Sequence, residues 1–219
     1  MNEILLLALS GAFAMPADSA RYLALGDSYT IGEQVTGAER WPVQLVDLLR
    51  GTGVAVADPD LIATTGWTTD ELAAGISARA PNGPYALVSL LIGVNNQYRG
   101  RDATQYRAEF HALLVQAIGF AGGDARRVVV VSIPDWGVTR FAAGRDRAKI
   151  GREIDQFNAI ARDEAGRGGA AWLDITPVSR EPHDDWLAAD GLHPSGAQYA
   201  VWARLALPAA RRALGATPE

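Results

Sequence analysis

The fold of this chain is decided by residues 22–29, which read YLALGDSY. Tyr22–Leu25 is a short apolar run, as is typical of a β-strand that is buried on both faces of a sheet. Gly26, Asp27 and Ser28 follow it directly, and this small-acid-hydroxyl sequence predicts a turn from strand to helix. A serine in such a turn either caps the next helix or projects into a cleft beside helix N-terminal amides. This stretch alone leaves both interpretations open.

Four further apolar runs follow along the chain, and helical stretches separate them. The runs are 54–63, Tyr85–Ile92, Val128–Ile133 and Ala171–Ile175. The last helix is expected to begin after Ser195 and to kink or end at Pro208. Strands that alternate with helices predict a parallel sheet covered by helices on both faces. In such sheets ligands bind at the carboxyl ends of the strands, so the loops that follow the strands are the places to look for a site.

The composition is that of an ordinary globular protein and excludes several classes of function. The chain has 219 residues, of which 48% are hydrophobic, and this suits one domain with a substantial core. A net charge of −5 argues against a nucleic-acid partner, because phosphate binding needs a surplus of Lys and Arg. The chain has no cysteine, no glycine-rich nucleotide fingerprint and no histidine-rich ligand set, so we expect neither cofactor nor metal. Nothing in the residues indicates the oligomeric state.

Residues 1–20 form a separate apolar segment, and residues 21–219 form the predicted domain. Ile4–Ala14 has about the length of a signal-peptide core, and Ala12-Phe13-Ala14 fits a small-x-small cleavage site. The segment predicts export to the periplasm or the medium, although Glu3 precedes the run and no Lys or Arg does. A misassigned start or an apolar first helix, with the protein kept in the cytoplasm, is the alternative. The run is shorter than the roughly 20 residues of a membrane span, and no other stretch is long enough, so no transmembrane segment is predicted.

Two later loops also carry polar residues at the predicted ends of strands. Asn95 and Asn96 follow the run Tyr85–Ile92. They are either turn residues or, in the functional interpretation, Asn95 directs its side-chain N–H at an oxygen that becomes negative during a reaction.

Asp190 precedes His193 by three residues, in a turn that leads into the last helix. That spacing lets the carboxylate accept the imidazole Nδ1–H, which leaves Nε2 free to face a hydroxyl. His111 lies in a helical stripe and is expected at the surface. His183, beside Asp184 and Asp185, is a minor rival for a site role.

Taken in order, these blocks resemble the GDSL family of the SGNH-hydrolase superfamily. Gly26-Asp27-Ser28 resembles its first block, with Tyr29 where the family name has leucine, and Gly66 resembles the glycine of the second. Gly93-Val94-Asn95-Asn96 is similar to the third block, with Asn96 in place of the usual aspartate. Asp190-Gly191-Leu192-His193-Pro194 matches the last block. The resemblance covers most of the chain after residue 20.

The resemblance implies a three-layer α/β/α sandwich with a flavodoxin-like parallel sheet of about five strands. It also implies an ester-cleaving serine hydrolase that works through an acyl-enzyme. Ser28 would be the nucleophile, His193 the base and Asp190 the residue that orients the base. The oxyanion would be held by the backbone N–H groups of Ser28 and Gly66 and by the side chain of Asn95.

The expected substrate is a small-molecule carboxylic ester of short to medium acyl chain, because the chain lacks a long insertion to serve as a lid. Trp67, Tyr98, Trp136 and Phe141 lie in loops near strand ends and either line the cleft or pack beneath the loops. The same triad would also serve a thioesterase, a carbohydrate deacetylase or an acyltransferase. A binding module without hydrolysis is the remaining alternative, although such a relative would be expected to lose Ser28 or His193.

Overall fold

The computed structural model describes residues 19–181, 183 and 185–216. The apolar run of the predicted export segment lies outside the described residues, so export stays a prediction. Within these ranges, no helix is both long enough and apolar enough to cross a membrane.

Five parallel strands form one sheet in the order β2-β1-β3-β4-β5. The strands are β1 (Tyr22–Gly26), β2 (Asp60–Ala63), β3 (Leu87–Leu91), β4 (Val128–Val131) and β5 (Ala171–Leu173). The α-helices of the described residues are α1 (Ser28–Ile31), α2 (Trp41–Gly51), α3 (Thr69–Arg79), α4 (Val94–Tyr98), α5 (Ala103–Phe120), α6 (Arg147–Gly168), α7 (Thr176–Ser179) and α8 (Gly196–Ala213).

The burial of the strands explains their sequence patterns. Every residue of β1, β3 and β4 is buried, as their nearly continuous apolar runs predict. β2 lies at one edge of the sheet and is partly exposed. The strand expected over 54–63 was therefore too long, since the ladder is confined to Asp60–Ala63 and Val56 makes only an isolated bridge to Ala20. Pro59 interrupts the segment because it has no N–H to donate to a longer ladder.

Helices cover both faces of the sheet, which confirms the predicted three-layer architecture. α8 packs against β4, β5 and α2. On the other side α3, α5 and α6 pack in sequence along β2, β3 and β4–β5. The last helix does not end at Pro208 but continues to Ala213, and the burial of Ala209 and Ala210 helps to hold this final turn in place.

The strand order reverses between β1 and β3, and this switch point positions the candidate site. Gly26 at the end of β1 pairs with Ala63 of β2 on one side and with Leu91 of β3 on the other. The three strands therefore end side by side, and the segments that follow them begin at the same edge of the sheet. In open α/β sheets the crevice at such a switch point is where ligands bind.

Candidate active site

Ser28 opens the short helix α1 directly after β1. Asp27 caps this helix by accepting the backbone N–H of Tyr29 at 3.0 Å. The turn needs glycine at position 26, because a Cβ there would overlap Thr30 Oγ1 and lie 2.5 Å from the carbonyl oxygen of Leu91. Asp27 is fully buried, and this burial raises the pKa of its carboxyl to about 7. The sequence left capping and catalysis open for this turn, and the structure gives the cap to Asp27 and places Ser28 in a pocket.

His193 lies across the same pocket and is paired with Asp190. Its Nδ1 lies 2.6 Å from Asp190 Oδ2. The other carboxylate oxygen of Asp190 accepts the backbone N–H groups of Leu192 at 2.9 Å and of His193 at 3.0 Å. Partial burial alone would raise the pKa of Asp190, but the hydrogen bonds from the His193 ring and these two amides outweigh it and lower that pKa. The carboxylate therefore fixes the imidazole with a proton on Nδ1, which leaves Nε2 as the free basic nitrogen.

The loop that carries His193 is itself fixed. The backbone N–H of Ala188 donates to the carbonyl oxygen of His193 at 2.8 Å, and that of Ser195 donates to Trp186 at 2.9 Å. Ser195 then caps α8 through its side chain. Ser28 and His193 form no hydrogen bond with each other in this arrangement, although both line the pocket. Contacts of this kind in hydrolases often tighten only in the substrate complex.

Gly66, in the loop after β2, and Asn95, in the helix α4 that follows β3, bring hydrogen-bond donors to the pocket. Gly66 has a φ of +88°, a conformation that favours glycine. Asn95 donates one N–H of its side-chain amide to the carbonyl oxygen of Trp67 at 2.9 Å, which orients the group and leaves its second N–H available. No backbone carbonyl of the described loops accepts the N–H of Ser28 or of Gly66. The pocket is thus lined by three potential donors to a negative oxygen.

Asn96, which replaces the usual aspartate, has a buried partner of its own. Its Oδ1 accepts the backbone N–H of Thr69 at 3.1 Å, and its Nδ2 donates to Thr69 Oγ1 at 2.7 Å. The Thr69 hydroxyl in turn donates to Glu109. Because Glu109 supplies the acceptor for the hydroxyl proton, the residue at position 96 has to donate, which an amide does and a carboxylate does not.

Aromatic side chains form the outer wall of the pocket. The ring centroid of Trp136 lies 5.4 Å from that of Tyr98 and 6.0 Å from that of Phe141. Trp136 is held by a buried hydrogen bond from Nε1 to Gln97 Oε1 at 2.7 Å, and Gln97 Nε2 donates to Glu153 of α6 at 2.8 Å. The pocket has a volume of about 200 Å³. Its described lining consists of Ser28, Tyr29, Thr65, Gly66, Val94, Asn95, Tyr98, Trp136, Phe141, Leu192 and His193.

Of the four aromatic residues singled out from the sequence, three line this pocket and Trp67 does not. The ring of Trp67 packs against Gly75 of α3, and only its carbonyl oxygen serves the site, as the acceptor for Asn95. Gln97 was missed by the sequence analysis. Its position directly after Asn95 and Asn96, just beyond the end of a predicted strand, was the available signal.

The other two histidines lie elsewhere. His111 is exposed on α5 and its Nδ1 lies 2.9 Å from Glu164. His183 stacks on Trp186 with ring centroids 4.8 Å apart. Neither lines the pocket that contains Ser28. A larger surface hollow of about 700 Å³ lies between α6 and β5, and its described lining contains neither histidine nor serine.

Comparisons with solved structures identify the fold. TesA shares 19% sequence identity with this chain, with a TM-score of 0.71 over 89% of this chain and 99% of that one. The psychrotrophic esterase EstA from Pseudoalteromonas shares 14% sequence identity, with a TM-score of 0.69 over 90% of this chain and 100% of that one. An acetyl-xylooligosaccharide esterase from Geobacillus shares 18% sequence identity, with a TM-score of 0.65 over 91% of this chain and 97% of that one. At these identities the likeness establishes the fold alone.

The sequence itself matches one family model. The model describes the GDSL-like lipase/acylhydrolase family and covers residues 24–201, a range that includes the pocket residues Ser28, Gly66, Asn95 and His193. A comparison with curated protein sequences finds no significant match. Because the family model spans most of the chain, this protein belongs to the GDSL-like lipase/acylhydrolase family and is a hydrolase.

Proposed function

We propose that the chain is a serine esterase that hydrolyses carboxylic esters of short to medium acyl chain through an acyl-enzyme. One observation carries this proposal. Ser28, His193 and the donors at Gly66 and Asn95 line a single pocket, and Asp190 holds the imidazole from behind. These are the groups that nucleophilic attack on an ester carbonyl requires.

In the first half-reaction His193 Nε2 takes the proton of Ser28 Oγ as this oxygen attacks the carbonyl carbon of the ester. The electron pair of the carbonyl bond moves to its oxygen, and the resulting oxyanion accepts hydrogen bonds from the N–H groups of Ser28 and Gly66 and from Asn95 Nδ2. The carbon–oxygen bond to the alcohol then breaks, and His193 gives its proton to the leaving alcohol. The ionised Asp190 stabilises the imidazolium throughout.

In the second half-reaction water takes the place of the alcohol. His193 removes a proton from the water as it attacks the acyl-enzyme carbonyl, and it returns that proton to Ser28 Oγ as the acid leaves. The same donors stabilise the second oxyanion. The cycle therefore regenerates the serine and consumes one water for each ester.

The size of the pocket supports a small acyl group. A volume of about 200 Å³ corresponds to roughly seven water-sized groups at about 30 Å³ each. Val94, Leu192 and the aromatic rings give this space an apolar lining. An acetyl to hexanoyl chain fits these dimensions, whereas a long fatty chain would extend beyond the pocket.

A carbohydrate deacetylase is the second candidate. Tyr98 and Phe141 are exposed at the mouth of the pocket, where aromatic rings can lie against a sugar ring. The acetyl group of such a substrate would leave most of the pocket volume to the sugar. The structural likeness to an acetyl-xylooligosaccharide esterase is consistent with this alternative.

The direct test is turnover of 4-nitrophenyl esters from acetate to dodecanoate, and of an acetylated xylo-oligosaccharide, by the full chain. We expect the highest kcat/KM between acetate and hexanoate, and loss of turnover in Ser28→Ala but not in the control Ser77→Ala, whose serine is exposed on α3. A higher kcat/KM for the acetylated sugar than for any nitrophenyl ester would select the deacetylase. Equal activity of wild type and Ser28→Ala would refute the proposed mechanism.

A further inference from the structure

Arg145 lies at the aromatic wall of the pocket, in the loop that precedes α6. Its guanidinium carbon lies 5.3 Å from the ring centroids of both Tyr98 and Trp136, and 5.1 Å from that of Phe141. Its Nη2 donates to Tyr98 Oη at 3.3 Å. All three rings line the pocket that contains Ser28. A cation is thus held against the outer wall of the candidate active site by three aromatic faces.

The donors of Arg145 are largely unused. A guanidinium has five N–H donors, and the hydrogen bond to Tyr98 takes one of them. Within residues 19–181, 183 and 185–216, no carboxylate forms an ion pair with Arg145, whereas Arg99, which lies against Gly66, is paired with Glu71 at 3.2 Å. Among the described residues, Arg145 therefore has no acidic partner, and it presents a positive charge and several N–H groups beside the pocket.

The charges around the pocket are arranged unequally. On the side of Thr65, the carboxylate of Glu33 accepts the threonine hydroxyl and has no Lys or Arg partner among the described residues, while the neighbouring Arg99 is neutralised by Glu71, so the net charge of that side is negative. The aromatic side carries Arg145. An anionic group on a bound ester would be repelled from Glu33 and attracted to Arg145.

We propose that Arg145 is a specificity-determining residue that recognises an anionic group, such as a carboxylate, on the acyl or the alcohol part of the substrate. This inference rests on the proposed esterase function and deepens it, because it names a class of ester. In the competing explanation Arg145 only shapes the aromatic wall, in which case its charge has no effect on the choice of substrate.

Three matched esters separate these explanations. 4-Nitrophenyl hexanoate is neutral in both parts, and the 4-nitrophenyl half-ester of adipic acid has a carboxylate at the end of an acyl chain of the same length. In 3-carboxy-4-nitrophenyl hexanoate the carboxylate is on the alcohol part instead. The variant Arg145→Met removes the charge and keeps an unbranched side chain, and Arg152→Met removes an exposed arginine of α6 as the control.

We expect Arg145→Met to lower kcat/KM about threefold to tenfold for one of the two anionic esters, the range typical of a partly exposed charged hydrogen bond. The neutral ester should change by less than about twofold, Arg152→Met should change none of the three, and added salt should reduce the preference of the wild type. The ester that responds identifies the part of the substrate that carries the anion. An equal effect of Arg145→Met on all three esters, or on none, would overturn the inference while leaving esterase activity established.

Binding provides a readout that does not depend on turnover. Calorimetric titration of Ser28→Ala with the same three esters, with and without Arg145→Met, should show the same loss of affinity for one anionic ester alone. If neither anionic ester binds more tightly to a chain with Arg145 than to one with Met at this position, the inference is wrong whatever the fate of the proposed reaction.

Discussion

Replacing Asp190 by asparagine separates the chemical role of this residue from its structural role. Asparagine keeps an oxygen to accept the backbone N–H groups of Leu192 and His193, which now lie 2.9 and 3.0 Å from Asp190 Oδ1. It replaces the oxygen that lies 2.6 Å from His193 Nδ1 with an NH₂ group, which cannot accept a proton from the ring. The imidazole must then carry its proton on Nε2, the nitrogen that has to take the proton of Ser28.

The expected loss of activity is large and the expected loss of stability is small. In a serine triad this wrong tautomer lowers turnover about 10³- to 10⁴-fold, or about 4–5.5 kcal/mol of transition-state stabilisation. The side chain of Asp190 is 27% exposed, so losing its charged hydrogen bond should lower the free energy of unfolding by only about 1–2 kcal/mol.

The assay is kcat/KM on 4-nitrophenyl butyrate together with thermal unfolding. The matched control is Asp185→Asn, since Asp185 is exposed in the same segment of the chain. A folded Asp190→Asn variant that retains more than a tenth of wild-type activity would refute the assignment of Asp190 to the triad. So would an Asp185→Asn variant whose activity falls as far as that of Asp190→Asn.

Three further predictions concern neighbouring residues. Asn95→Ala should lower kcat roughly 10²- to 10³-fold with little change in KM, and full activity would show that its amide does not stabilise the oxyanion. Burial raises the pKa of Asp27 to about 7, above its unfolded value, so its contribution to stability is present at low pH and is lost as the pH rises from about 4 to about 7. The free energy of unfolding of Asp27→Asn, measured against pH, should therefore rise relative to that of the wild type over this window, by at most about 4 kcal/mol. A difference between the two proteins that does not change with pH would contradict the raised pKa. Asn96→Asp should cost about 1–3 kcal/mol in denaturant unfolding, because the hydroxyl of Thr69 would face two acceptors, and adding Glu109→Gln should recover most of that loss. Additive effects of these last two changes would rule out the shared hydrogen bond.

The sequence predicts most clearly the parts of this protein that depend on local patterns. The strands β1, β3 and β4 are buried on both faces, and their continuous apolar runs were sufficient to place them. Asp190 and His193 could be paired from the sequence because they are only three positions apart in one turn, and the structure places their side chains in contact. Ser28 and Asn95 could be brought together because Ser28 follows β1 and Asn95 follows β3, and the carboxyl ends of these parallel strands lie at the same edge of the sheet.

Features that depend on contacts between distant elements were not predicted. Trp67 lies in the expected loop, but its ring packs on α3, and nothing in the local sequence distinguishes that packing from a position in the pocket. Gln97 holds Trp136 because α4 meets α6 through Glu153, 56 residues further along the chain. The edge strand β2 is short and partly exposed, so its apolar pattern is weak and its start was misplaced.

In the proposed mechanism Ser28 becomes covalently bonded to the acyl group, and labelling with a 4-nitrophenyl alkylphosphonate tests this step directly. Attack by Ser28 Oγ on phosphorus would release one equivalent of nitrophenolate and leave a stable phosphonyl ester on the protein. Trypsin would then release residues 22–40, a peptide in which Ser28 is the only serine. We expect mass spectrometry to find one adduct, on Ser28, and Ser28→Ala to give neither the adduct nor the burst of nitrophenolate. An adduct on another residue, or turnover of esters that the phosphonate does not inhibit, would contradict it.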